Sequence, residues 1–210
     1  LQLDGLDIKV SSGTLNWALR PLLSKTINID TLHLNGVQIT THPKNAPALP
    51  TPYEPWQGLE LPFNATLSSL QLNKLSVQSK RDATAAPVES LSIDTVSARL
   101  AINNNVLAIE QLHIMTNDNV ARLNGDIDLS AQADAALNLT HSATWNVSEQ
   151  TIDSTGTING RWSAIHIEQS TNLTGAQSTL RVNVNDVLSH QIHWHGTLVT
   201  SAASFNLNAI

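Results

Sequence analysis

Apolar residues along this chain recur at every second position, and the alternation is broken at intervals by a step of three. Between residues 29 and 39 the aliphatic positions are Ile29, Leu32, Leu34, Val37 and Ile39, and Asp30, His33, Asn35 and Gln38 between them are polar. Strict alternation marks a strand with one face buried. A step of three turns the following side chains to the other face unless an extra residue is absorbed, as a β-bulge does. The pattern predicts bulged, strongly twisted strands, with Gly36 supplying backbone freedom at one step. The spacing returns at Leu67, Leu70, Leu72, Leu75 and Val77, and again at Val88, Leu91, Ile93, Val96 and Ala98. Shorter copies are Leu3, Leu6, Ile8 and Val10, and Ile109, Leu112 and Ile114. Leu67 and Val88 are 21 residues apart, as are Val88 and Ile109; Ile29 and Leu67 are 38 apart, which falls to 21 when the 17 residues 42 to 58 are set aside. A period of this size points to repeated units. Beyond residue 115 the period fades, but alternation continues through Ala121, Leu123, Ile127 and Leu129, through Leu180, Val182 and Val184, and through Ile192, Trp194 and Leu198.

Between the first two copies lie Pro43, Pro47, Pro50, Pro52 and Pro55, with Pro62 following. Proline at this density forbids helix and central strand, so residues 42 to 60 are expected to form an extended surface loop, dispensable for folding. Asn103-Asn104-Asn105 and Asn117-Asp118-Asn119 read as hairpin turns, because Asn tolerates positive φ. Helix signals are few: one short turn within Trp17–Ser24, limited by Pro21, and an Ala-rich stretch at 131 to 136 that runs on into Leu137 and Leu139 at strand spacing. The expected fold class is all-β, a long, bulged, twisted antiparallel sheet, as one region over residues 1 to 210 with the Pro-rich insertion at 42 to 60.

What the aliphatic row faces is open on this evidence. Each buried Leu, Ile or Val contributes roughly 1.5–3 kcal/mol, so an ordinary sandwich core is one answer. Aromatics make up only 4% of the chain, whereas sealed sheets often use large rings to fill the space between them. A curved sheet with an open aliphatic face, lined by Leu, Ile and Val, is the other answer.

Charge and composition narrow the function. The net charge is −6 and the eleven Lys and Arg are scattered apart from Lys80-Arg81, which argues against nucleic acid. The chain has no cysteine, which excludes disulfides, thiolate metal sites and thiol chemistry. Its longest uninterrupted aliphatic run is Val106 to Ile109, far short of a membrane helix. It starts at Leu1 within an alternating pattern, and its only methionine is Met115; the expectation is a piece of a longer protein with an anchor upstream. Four Asn-X-Ser/Thr triplets, at Asn64, Asn138, Asn146 and Asn172, fit the chance yield of an Asn- and Thr-rich chain better than glycosylation.

Candidate chemistry is sparse. His190, His193 and His195 form the best metal-ligand spacing, since His193 and His195 share a strand face, but a solvent-facing pair beside a turn explains them equally and no acidic ligand stands near in sequence. Asp126 and Asp128 share a face, with Ile127 on the buried side, so the carboxylates point to water rather than pairing for acid–base work. Asn35-Gly36, Asn124-Gly125 and Asn159-Gly160 are read as bulge or turn positions. No nucleophile elbow or phosphate loop is present, no cofactor is implied, and nothing in the sequence supports an enzyme.

Gly13-Thr14-Leu15-Asn16-Trp17, then Leu22-Leu23, then the strand TINIDTLHLNGVQIT, a variable Pro-rich insertion and a second strand copy at 61 to 79 follow one another in an order that resembles the N-terminal part of the TamB family, within the AsmA-like bacterial envelope proteins. Residues 120 to 132 and 154 to 168 look like later repeats of that family. The likeness in order covers about the first third of the chain. It implies a periplasmic protein anchored in the inner membrane, whose sheet is curled into an open groove. The implied function is phospholipid transport between the inner and outer membranes, with outer-membrane protein assembly beside a barrel partner. Phospholipid acyl chains would then lie against Leu6, Ile8, Val10, Ile29, Leu32, Leu34, Val37, Ile39, Leu70, Leu72, Leu75, Leu91, Ile93, Leu112 and Ile114. A structural or adhesive β-solenoid with a sealed core is the competing expectation, because a period of 21 also suits a β-helix coil.

Overall fold

The computed structural model describes residues 2–3, 6–41, 62–79, 88–117, 119–130, 135–147, 150–173, 176–187, 193–201 and 204–209. Thirteen strands make one sheet whose spatial order is the chain order. They are β1 (Gln2–Leu3), β2 (Leu6–Ala18), β3 (Thr26–Thr41), β4 (Asn64–Ser79), β5 (Val88–Asn103), β6 (Val106–Thr116) and β7 (Asn119–Asp128), followed by β8 (Ala136–Val147), β9 (Gln150–Arg161), β10 (Ala164–Leu173), β11 (Ala176–Asn185), β12 (His193–Thr200) and β13 (Ser204–Ala209). The sheet is open, because β1 and β13 sit at opposite edges and do not pair. A single 3-10 turn, Arg20–Ser24, links β2 to β3. Among the described residues there is no α-helix, and none long and apolar enough to cross a membrane.

The expected all-β curled sheet is what the chain forms, with one difference in strand direction. All neighbours are antiparallel except β3 and β4, which are parallel. The two sequence copies lie side by side in the same orientation, with Ile29 beside Leu67, Leu32 beside Leu70, Leu34 beside Leu72, Val37 beside Leu75 and Ile39 beside Val77. A parallel pair needs a crossover that returns along the whole strand. β3 is 16 residues long, so the return from Thr41 to Asn64 covers roughly 50 Å. The Pro-rich segment 42–60 itself lies outside the described residues, but the strands it joins fix the span it must bridge. This corrects the expectation that it is dispensable: a short Gly-Ser linker could not reach. The solenoid is also excluded as an architecture, because it stacks successive coils in parallel and this sheet is an antiparallel meander on either side of one parallel pair.

The steps of three are met in two ways. At one level all four long strands shift phase together without losing register, so that Ser12, Asn35, Asn73 and Thr95 stay aligned. There Gly36 and Lys74 occupy equivalent positions in β3 and β4, with φ of 64° and 57°. At the second level the register slips, between Leu67 and Leu70 of β4 against β5, and between Ile109 and Leu112 of β6 against β7. These are bulges of the expected kind. Asn104 and Asn105 (φ 49° and 65°) close the two-residue hairpin between β5 and β6, and Asn117 (φ 48°) opens the one between β6 and β7, as the turn chemistry predicts. Asn124-Gly125 and Asn159-Gly160 lie inside β7 and β9 rather than in turns.

A side chain on Lys74 makes the left-handed conformation unfavourable by about 1–2 kcal/mol. Replacement by glycine, the residue β3 uses at the equivalent position, is expected to stabilise the sheet by about 0.5–1 kcal/mol after the loss of chain entropy. Denaturant unfolding of Lys74→Gly measures it; a lower midpoint would show that the lysine side chain contributes a contact worth more than the strain.

Candidate functional site

The pairing register sorts side chains into rows that run across the strands. One row reads Gly13, Leu34, Leu72, Val96, Ile114, Ala121 and Ala143. The next on the same face reads Leu15, Leu32, Leu70, Ala98, Leu112 and Leu123. Beyond the second set of bulges comes Trp17, Ile29, Leu67, Leu100, Ile109, Gly125, Leu139, Ile158, Ile167 and Val182. Toward the other strand ends lie Val10, Val37, Leu75 and Ile93, and Ile8, Ile39, Val77 and Leu91. The opposite face carries rows such as Thr14, His33, Gln71, Ser97 and His113. One face is thus aliphatic over many neighbouring strands and the other polar.

The aliphatic face is only partly covered. Of the residues expected to line it, Val37 is buried at 6%, while Val10 and Leu91 are exposed at 44% and 48%. Ile8, Ile29, Leu32, Leu34, Ile39, Leu70, Leu72, Leu75, Ile93, Leu112 and Ile114 are half-buried. The side chain of Leu6 lies outside the described residues; its backbone pairs with Thr41. Among the described residues, the strands make substantial backbone contact only with their neighbours in the sheet, apart from the 3-10 turn against β3. On the β2–β3 rim, Trp17, Leu19, Leu22 and Leu23 are exposed beside Arg20 and Lys25. That turn is nonetheless held by Leu22 N–H to Leu19 O, Lys25 N–H to Leu22 O and Asn64 N–H to Lys25 O at 2.9–3.1 Å.

On this same face, across β6 to β10, lies a concavity of about 320 Å³. Leu112, Ile114, Ala121, Leu123, Ala143 and Trp145 line it together with His141, Ser154 and Gln169. The polar members arise where the rows change character: Ala143 continues into Ser154 and Thr171, and Leu123 into His141, Gly156 and Gln169. Gln169 Nε2 donates to Ser154 Oγ at 2.8 Å, and Ser154 Oγ lies 3.4 Å from Thr171 Oγ1. Ser154 is 2% exposed, the most buried polar residue described. This cluster was missed in the sequence. Its signal is the alternation Ile152, Ser154, Gly156, Ile158, in which two small or polar residues occupy an apolar row.

The other candidates separate. His193 and His195 do share a face of β12, but His195 Nε2 accepts from Asn183 Nδ2 at 3.0 Å, and Asn183 Oδ1 meets His166 Nδ1 at 2.7 Å. His190 lies outside the described residues, and among those described no three metal-ligating side chains gather. Asp126 is exposed in a row with Ala108 and Asn138. Asp128 Oδ1 accepts the Ser130 N–H at 2.9 Å, capping the end of β7.

No protein-family model, curated protein or solved structure matches the chain.

Proposed function

We propose that the aliphatic face is a lipid-conducting groove, and that the chain is part of a periplasmic bridge along which phospholipid moves between the inner and outer membranes. The observation that carries this reading is an aliphatic face, half-exposed and continuous across neighbouring strands, on a single sheet that does not close. A monomer rarely leaves a large contiguous apolar surface in water without an occupant. Leu, Ile and Val offer acyl chains a lining without directional contacts, so a chain can slide across the strands. The exposed Trp17, Leu22 and Leu23 beside Arg20 and Lys25 suit a rim working next to a bilayer, where aromatics, aliphatics and cations are favoured. The resemblance in residues 1 to 77 adds the compartment, the inner-membrane anchor of the full-length protein and an outer-membrane barrel partner in protein assembly.

The test is photo-crosslinking in cells. A photoreactive residue at Leu34 or Leu72 should capture phospholipid, and one at Asn35 or Gln71 should not. Equal labelling from both faces, or none from either, removes the groove reading and leaves a structural or adhesive sheet.

A further inference from the structure

We propose that His141, with Ser154 and Gln169, forms a station that binds the oxygen-bearing end of an acyl lipid, an ester carbonyl or a carboxylate, while the acyl chain lies in the adjoining concavity. This rests on the groove reading above and adds a site to it.

Four observations converge. The rows through Leu34 and Leu32 stay apolar from β3 to β7 and turn polar at β9 (Ser154) and β8 (His141) respectively, while the row through Leu139, Ile158 and Ile167 stays aliphatic. The groove thus divides there into an aliphatic lane and a polar lane. The polar lane is built rather than incidental: Ser154 is 2% exposed, accepts from Gln169 Nε2 at 2.8 Å and lies 3.4 Å from Thr171 Oγ1. His141 Nδ1 is buried with no hydrogen-bond partner, a state that costs about 1–3 kcal/mol in a finished structure and that a ligand oxygen would relieve. Space for the imidazole is kept by Gly156, since a Cβ there would come within 2.6 Å of His141 Cε1. Beside these groups, Leu112, Ile114, Leu123 and Trp145 give the concavity of about 320 Å³ most of its apolar wall, with Arg122 and Ser142 also part of the lining. An apolar chamber with a few convergent polar groups is how small amphiphiles are held and oriented. A carbonyl or carboxylate oxygen accepting from the Nδ1–H of His141 places the lipid's first polar atoms at the boundary between the lanes.

The experiment compares three probes of equal chain length, delivered from cyclodextrin to the whole chain: oleate, methyl oleate and cis-9-octadecene. Wild-type protein is expected to bind the two oxygen-bearing probes about ten-fold more tightly than the alkene. His141→Leu should erase that preference while still binding the alkene, and His141→Gln should restore part of it. Should His141→Leu not fold, the His141 ring nitrogen resonance of the wild-type protein gives the same answer, expected to move with oleate and not with octadecene. Equal affinity for all three probes with an unmoved His141 signal overturns the station and leaves the groove. Binding of none of them overturns both.

Discussion

Leu34→Arg is expected to leave the sheet folded and to lower lipid capture about sixty- to three-hundred-fold. Leu34 stands in the aliphatic row between Gly13 on β2 and Leu72 on β4, and is half-buried, with every described strand belonging to one sheet. A guanidinium in a hydrocarbon path costs about 2.5–3.5 kcal/mol, and each 1.4 kcal/mol is ten-fold in binding. The protein itself escapes most of that penalty, because an arginine on an open face extends its head into water along its own aliphatic stem. Two measurements on the same variant decide it: thermal melting, and photo-capture of lipid from a probe at Leu72. If the row were instead the interior of a sealed sandwich, the buried unpaired charge would unfold the domain and the melting transition would be lost.

Gly125→Ala is expected to be the most damaging single methyl in the sheet. Gly125 lies inside β7 with φ 133°, a conformation L side chains rarely adopt. A Cβ there would collide with Asn138 O and come within 2.8 Å of Leu139 Cα on β8. Neither obstacle is a flexible side chain; both belong to the paired backbone. Gly125 pairs with Ile109, at the edge of the β6 bulge, so the backbone there is already committed and cannot shift to make room. Strain and a displaced β7–β8 ladder together should cost about 3 kcal/mol or more, a fall in Tm on the order of 10 °C for a chain of this length. Calorimetry of Gly125→Ala measures it. A change under about 2 °C would mean the two strands separate easily there.

The apolar positions of β2 to β7 were legible because alternation with inserted steps of three specifies which side chains share a face. Ile29, Leu32, Leu34, Val37 and Ile39 could be aligned with Leu67 to Val77 residue for residue before any strand was placed, and in the fold these pairs are neighbours. The Asn-rich hairpins were legible for a local reason: consecutive left-handed residues at Asn104 and Asn105 are set by turn chemistry alone. His141, Ser154 and Gln169 were not legible as a group. They are 13 and 15 residues apart, and only the register of β8, β9 and β10 brings them to one place. A polar residue in an apolar row looks like an interruption until its neighbours on adjacent strands are known.

The sequence by itself determined the fold class, the two faces and the places where strands bulge or turn, since all of these follow from side-chain periodicity and local backbone preference. Strand direction it did not fix: the expectation was antiparallel throughout, and β3 and β4 are parallel. Spacings of 2, 3 and 2 read the same from either end, so β4 satisfies the pattern parallel to β3 and antiparallel to β5 alike. Direction is a matter of how backbone N–H and C=O groups meet between strands, and of whether the connecting segment is long enough to return. Only the tertiary structure decided that Leu67 would lie beside Ile29, and that the proline-rich connection would therefore have to span the full length of a strand.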